Sequence, residues 1–396
     1  MGSPHPAVNR VPGRFIDWPR REPRTLFRRA DSQLHVLPRY VLGMARPHAA
    51  ALIEDAFHRR SNALMRGRGW GTRTISHTGY GSQDFVRVLG RVLLSRQTGG
   101  RAVSEKVSQE DRKIRELKNT AGEQRGWRAF ITAGAMKVPV RVIVGGRSTD
   151  TVSDRSGYID VVIAEPGLEP GWQAVTIEAE GGIPVQAAVL IIDRGARFGI
   201  VSDIDDTVIS TSMPRPMIAV WNTFVRQETA RHLVPGMAPM YRALIDGHPG
   251  APIFYLSTGA WNTAPTLTRF LKRHGYPAGP MLMTDWGPTN TGWFRSGQEH
   301  KIEALHRLAH EFPGIRWVLI GDDGQHDPKI YGDFARYRPD VVDAIAIREL
   351  SPTEQVLSHG IPVSNEEFAP PMARVVPVCR APDGYGLLRQ LKAVLG

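Results

Sequence analysis

The run Val201-Ser202-Asp203-Ile204-Asp205-Asp206-Thr207 closes an apolar stretch that begins at Phe198. Such a run reads as a buried strand, and it ends with Asp203 and Asp205 two residues apart. Two carboxylates this close repel each other and lose much hydration on burial, so a fold seldom keeps them there without compensation. A hard divalent cation is the usual compensation, because Mg²⁺ takes one or two carboxylates together with waters and phosphate oxygens. Open α/β sheets bind ligands at this same place, outside the carboxyl ends of parallel strands.

Working outward, strands and helices alternate from Phe198 on, the pattern of an α/β doubly wound, Rossmann-like parallel sheet. Expected strands are Phe198–Ser202, Ile253–Ser257, Met281–Thr284, Trp317–Gly321 and Val342–Ile347. Expected helices lie near Met217–Arg226, Met237–Ile245, Ala264–His274, Gln298–Glu311 and Pro328–Arg336. This unit takes residues 196–365, followed by a Pro-rich tail with a short capping helix over 366–396. Ahead of it, residues 71–195 carry short β runs separated by turn signals, among them Pro139–Val144, Tyr158–Ile163 and Gln186–Ile192. They read as an antiparallel β-sandwich domain with no catalytic constellation of its own. The charged insert Glu105–Glu123 reads as a loop or short helix. Residues 1–46 form a basic, Pro-interrupted leader expected to be poorly ordered. Residues 47–70 read as an amphipathic helix and linker. Its arginines suit either an anionic membrane or plain solvent, and the short, Ala-rich apolar face favours the second.

The 396 residues leave room for two or three domains with real cores. A net charge of +11 favours acidic partners: nucleic acid, anionic lipid head groups or phosphorylated substrates. One cysteine, Cys379, excludes an intrachain disulfide and a cysteine-rich zinc module. No apolar run reaches the ~20 residues of a membrane helix. The N-terminus lacks the apolar core of a secretory signal, so a cytoplasmic location is expected, with peripheral membrane contact left open.

Residues suited to one chemistry fall at the ends of different expected strands. After Ile253–Ser257 come Thr258 and Gly259, which offer a hydroxyl and backbone N–H groups beside the first strand. Ser257 is the residue to assign to a phosphate oxygen, although a lone Ser after a strand is ordinarily a turn residue. Lys301 lies in the first turns of a helix, where it opposes the helix dipole unless an anion offsets it. The fourth strand ends in Gly321-Asp322-Asp323-Gly324-Gln325-His326-Asp327. Asp322 is the expected metal ligand, with Asp323 not separable from it. Asp327 either supports it or caps the helix that starts at Pro328. Trp286, Trp293, Phe294 and Arg295 fit either a membrane-facing mouth or packing between the two domains.

Taken together, this set resembles the haloacid dehalogenase (HAD) phosphatases: Asp203-x-Asp205-x-Thr207 as the first motif, Ser257 as the second, Lys301 as the third, Gly321-Asp322 with Asp327 as the fourth. It resembles more closely the actin-patch-protein type of phosphatidate phosphatase and its bacterial relatives, through Ser202–Val208, Phe254–Ser257 with Trp261, His300-Lys301 and Gly321–Tyr331. His77-Thr78-Gly79-Tyr80-Gly81 resembles the β region that precedes the catalytic domain in that family. The resemblance implies Mg²⁺-dependent dephosphorylation through an aspartyl-phosphate. Asp203 would be the nucleophile, Asp205 the acid/base and Thr207 a support for the loop. Ser257, Thr258, Gly259, Arg295 and Lys301 would face the substrate, and Asp203, Asp205, Asp322 and Asp327 would surround the metal. Phosphatidate is the leading substrate. A soluble phosphometabolite or phosphoprotein with the same mechanism stays open, as does a non-catalytic anionic lipid- or nucleic-acid-binding protein. The complete acidic set argues against the last, since an anion binder gains by losing those carboxylates, and no nucleic-acid partner is expected. The oligomeric state has no signal in the sequence.

Overall fold

The computed structural model describes residues 60, 62, 64–96, 134–210, 232–284, 297–324, 326–359 and 376–396. The leader, residues 47–59, 61 and 63 of the helix and linker expected over 47–70, the Glu105–Glu123 insert, the helix Met217–Arg226 and the group Trp286, Trp293, Phe294 and Arg295 lie outside the described residues.

Among the described residues, seven strands come first: β1 Trp70–Ser82, β2 Phe85–Arg96, β3 Pro139–Val144, β4 Arg147–Val152, β5 Tyr158–Ala164, β6 Gly171–Ala179 and β7 Val185–Ile192. They pair in the order β4-β3-β6-β7-β1-β2-β5, antiparallel except for β1 with β7. Where the β pattern implies two stacked sheets, the strands form one continuous sheet, because β1 pairs with both β2 and β7. That sheet has to curl. Laid flat, seven strands would put the edges β4 and β5 about 29 Å apart. The stretch from Val152 to Tyr158 that joins those two edges reaches at most about 21 Å. Curling turns one face of the inner strands inward, and Val88 and Val92 of β2, Val142 of β3, and Val175 and Ile177 of β6 share one core. β4, with sequence RSTDTV, leaves no residue buried.

The second sheet has six parallel strands: β8 Phe198–Asp203, β11 Ile253–Ala260, β12 Met281–Thr284, β13 Arg316–Asp322, β14 Val342–Arg348 and β15 Val378–Ala381. Its order is β12-β11-β8-β13-β14-β15. A small antiparallel pair, β9 Ile209–Ser210 with β10 His232–Leu233, follows β8. The helices are α1 Met237–Asp246, α2 Ala264–Arg273, α3 Gly297–Glu311, α4 Asp327–Tyr337, α5 Pro352–His359 and α6 Gly384–Leu395. Strand residues alternate between two cores, as period two demands. Ile200, Tyr255, Val318 and Ala344 pack with α1, α2 and α6. Val201, Phe254, Leu319 and Ile345 pack with α3 and α4 on the opposite face. The chain builds outward from β8 through β11 to β12, then returns to lay β13 on the other side of β8. The strand order therefore reverses at β8 and β13, where open sheets of this kind leave a ligand crevice.

The tail expected over 366–396 is more than a capping helix: its β15 is the sixth strand, paired in parallel with β14. Pro377 and Pro382 bracket those four residues, which hides them from any periodicity. No helix among the described residues is long and apolar enough to cross a membrane.

The curled sheet seats on α3. The Tyr80 hydroxyl donates to Glu311 Oε2 at 2.8 Å, and Arg87 pairs with Glu311 Oε1 at 2.8 Å. Tyr80 also meets Phe254 edge-on at 5.1 Å and lies 6.1 Å from the Phe312 ring.

Candidate active site

Every residue of β8 is buried, so its last residue, Asp203, is delivered to the crevice only 1% exposed. β13 ends beside it with Asp322, and α4 opens with Asp327, neither of which has measurable exposure. Each of these three side chains offers a carboxylate oxygen, and those atoms lie within 4.8 Å of one another. Lys301 reaches in from the first turns of α3, 2% exposed. Its ammonium lies 2.6 Å from Asp203 Oδ1 and 2.5 Å from Asp327 Oδ1. A lysine at a helix start is ordinarily solvated; this one is enclosed because two carboxylates replace its water.

Asp327 is the first helical residue of α4 and makes no cap; its carboxylate goes to Lys301. Gly321 makes that approach possible, since a Cβ there would run into the Asp327 carboxylate and fall 2.7 Å from the Tyr331 ring. The adjacent pair Asp322 and Asp323 separates cleanly. Asp322 joins the cluster and accepts from the Gly324 amide at 2.7 Å, while Asp323 turns away to accept from the Leu350 amide at 2.8 Å. Thr207 is fully buried, with its Oγ1 3.4 Å from Asp203 Oδ2 and 3.3 Å from Asp322 Oδ2. It ties the ends of β8 and β13 together.

Asp205 is placed differently. Its Oδ2 accepts from the Ser257 hydroxyl at 3.1 Å, and Ser257 in turn accepts from the Gly259 amide at 3.0 Å. Asp205 thus faces the end of β11 and stands outside the group of three. Asp206 follows in the left-handed region at φ 59°, a conformation that costs a residue with a side chain. Arg348, at the end of β14 and 6% exposed, secures that bend. It donates to the Asp206 carbonyl at 2.6 Å and pairs with Glu354 at 2.7 Å, and Glu354 also accepts from Ser210 at 2.9 Å. Sequence reasoning did not single out Arg348 or Glu354; an arginine closing a strand looks like a surface residue until its burial is known.

The electrostatics are lopsided. Burial raises Asp203 well above the ordinary carboxylate range, with Lys301 opposing and Asp327 and Asp205 adding to it. Burial also raises Asp322, helped by Asp327 and Asp203. Asp205 rises to about 6, first from burial and then from the Asp206 charge. Burial alone would lower the Lys301 ammonium, but Asp203 and Asp327 outweigh it and hold it above the ordinary lysine value. Buried carboxyl groups outnumber the buried ammonium at this spot, and their ionisation is costly without a further cation. Asp205 Oδ1 and Asp327 Oδ2 are buried without a hydrogen-bond partner, a cost of about 1–3 kcal/mol each in a closed protein. The donors are all hard oxygens, a set that suits a small hard dication.

Residues 198–349 match the family model for the catalytic domain of phosphatidate phosphatase APP1. The chain is 27% identical over 171 residues to phosphatidate phosphatase APP1 of Saccharomyces cerevisiae, an alignment covering 43% of this chain and 29% of that protein. It is 24% identical over 163 residues to an uncharacterized protein of Schizosaccharomyces pombe, covering 41% of this chain and 26% of that one. The chain therefore spans less than a third of the length of these curated relatives. Among solved structures, the HAD domain of the effector protein Lem4 from Legionella pneumophila aligns at 17% identity with a TM-score of 0.27, covering 40% of this chain and 88% of that domain. An uncharacterized protein from Listeria monocytogenes serotype 4b aligns at 12% identity with a TM-score of 0.31, covering 50% of this chain and 98% of that one.

Proposed function

We propose that this chain, which carries in residues 198–349 a catalytic domain of the APP1-type phosphatidate phosphatase family, hydrolyses phosphomonoesters through an aspartyl-phosphate on Asp203. The observation that carries the reading is the convergence of Asp203, Asp322 and Asp327 on the enclosed Lys301 ammonium, with Asp205 beside them on Ser257. Phosphoryl transfer asks the protein mainly for positioning and for charge stabilisation, and these residues supply both.

Asp203 attacks phosphorus, the P–O bond to the leaving alcohol breaks, and Asp205 gives that oxygen its proton. Water then attacks the aspartyl-phosphate while Asp205 takes back a proton, releasing phosphate and restoring Asp203. A group raised to about 6 exchanges a proton readily near neutrality, which fits Asp205 to this double duty. Lys301 holds Asp203 Oδ1 and offsets charge on the transferred group, so attack falls to Oδ2, which has only the long 3.4 Å contact with Thr207 Oγ1. Ser257 and the Thr258 amide are the groups placed to meet phosphate oxygens, while the Gly259 amide is spent on holding Ser257 Oγ. Arg295, assigned to the substrate from sequence, lies outside the described residues.

The excess of buried carboxyl groups and the partnerless oxygens of Asp205 and Asp327 fit Mg²⁺, which Asp203, Asp322 and Asp327 would hold. When bound, Mg²⁺ supplies positive charge that eases the approach of one anion to another.

Phosphatidate is the leading substrate through the likeness to the yeast relative, with peripheral membrane contact and a cytoplasmic location as its corollaries; a soluble phosphometabolite fits the same machinery. The test is phosphate release from a panel of lipid and soluble phosphomonoesters with and without Mg²⁺, comparing wild type with Asp203→Asn. Wild-type release that needs Mg²⁺ and vanishes in the variant supports the reading. Equal turnover by Asp203→Asn overturns it.

A further inference from the structure

A cleft of about 310 Å³ opens where the curled sheet meets the carboxyl edge of the parallel sheet. One wall holds His77, Arg87 and Asp160; the other holds Trp261, Thr284 and Arg307. We propose that this cleft receives the alcohol half of the phosphomonoester and selects a small, oxygen-rich alcohol: a free polyol or the glycerol backbone of a lipid. The proposal rests on the phosphatase reading above and specifies what is joined to the phosphate.

Place is the first argument. Thr284 Oγ1 donates to the Thr258 carbonyl at 2.7 Å, and Gly259 in that same turn donates to Ser257, which holds Asp205. The cleft is thus one turn of backbone away from the group that protonates the leaving oxygen. On its other side, α3 contributes Arg307 to the cleft and Lys301 to the carboxylates. His300, which lines the cleft, is the neighbour of Lys301 in the chain.

Chemistry is the second. Trp261 and His77 lie ring to ring, with centroids 4.5 Å apart and planes 34° apart, and both line the cleft. Arg87 and Arg307 bring guanidinium groups to the two walls, and His77 brings its imidazole. Asp160, committed to Arg87 at 2.6 Å, adds carboxylate oxygens to the same wall. Donors and acceptors beside an aromatic ring suit a ligand rich in hydroxyl or carbonyl oxygens, and they do not suit a hydrocarbon. Size agrees, since 310 Å³ lies at the low end of small-ligand sites and has no room for two acyl chains.

The experiment compares kcat/KM in Mg²⁺ for glycerol 3-phosphate, myo-inositol 1-phosphate, a short-chain phosphatidate and phenyl phosphate. Wild type is set against Trp261→Ala, Trp261→Phe and Arg307→Met. At least one oxygen-rich class should lose tenfold or more of its preference over phenyl phosphate in Trp261→Ala and Arg307→Met, with Trp261→Phe in between. Loss confined to the two polyol phosphates identifies a free polyol; loss confined to phosphatidate identifies the lipid backbone. A second arm measures binding of free glycerol and myo-inositol to Asp203→Asn by ligand-observed NMR, with and without Arg307→Met. Binding that Arg307→Met removes supports the cleft even if no phosphate is ever released. If wild type releases phosphate but all four substrates fall in parallel, or none falls, the cleft assignment is overturned while the phosphatase reading stands.

Discussion

Arg348 donates to the carbonyl of Asp206 at 2.6 Å, so a side chain from the end of β14 sets the backbone directly after Asp205. The bend it secures has a positive φ on a residue with a side chain, and Glu354 holds the guanidinium from behind. Replacing Arg348 by Met should leave Glu354 half-buried without its partner and free the bend. We expect a stability loss of about 3 kcal/mol, read from urea unfolding, and a fall in kcat larger than any rise in KM. Glu354→Gln should show the same pattern more weakly, because the Asp206 contact survives.

Lys301 keeps two buried carboxylates tolerable. Lys301→Met should destabilise the apo protein by about 3–5 kcal/mol, because Asp203 and Asp327 remain enclosed without their cation. Adding Asp327→Asn to that variant should recover part of the loss, and unfolding of wild type, the two single variants and the double variant in EDTA measures it. Non-additivity of at least about 1 kcal/mol is expected for residues in direct contact.

Gly321 is needed for room rather than for backbone freedom. Gly321→Ala forces a methyl group against the Asp327 carboxylate and the Tyr331 ring. The expected cost is about 1–3 kcal/mol in stability, together with a weaker response of Tm to added Mg²⁺ than wild type shows. An unchanged Mg²⁺ response would mean that Asp327 plays no part in holding the ion.

His77 makes stability depend on pH. Burial, then the charge of Arg91, lowers it from 6.5 to about 4, so the folded protein keeps it neutral where the unfolded chain is already protonated. The unfolded state binds the extra proton between those values, so stability is complete above pH 6.5 and declines toward pH 4. The decline attributable to this group is about 3 kcal/mol. Urea midpoints across that range should fall more steeply for wild type than for His77→Gln.

How much of this was legible in the sequence follows from which forces leave a mark on it. The alternation of β8, β11, β13 and β14 was readable because strands buried on both faces are continuous apolar runs, and charges at their ends then stand out. Asp203 and Asp322 were found for that reason. β4 was not, because an edge strand with no buried residue has no apolar period to show. The choice between Asp322 and Asp323 had to wait for the structure, since neighbouring residues at a strand end face opposite ways and the sequence gives no hint which way is inward. The enclosure of Lys301 and of Arg348 was likewise hidden. Burial of a cation depends on carboxylates 26 or more positions away in the case of Lys301 and Asp327, and on a carbonyl 142 positions away in the case of Arg348.

Helix α3 behaves as a rigid rod gripped at both ends. Ten residues separate Lys301 from Glu311, about 15 Å at the rise of an α-helix. Tyr80 and Arg87 clasp the far end, and the carboxylates hold the near end. One helix therefore joins the contacts of β1 and β2 to the ammonium. The antiparallel sheet is in this sense a mounting bracket for Lys301, and loosening its bolts should shift the ammonium without touching either carboxylate.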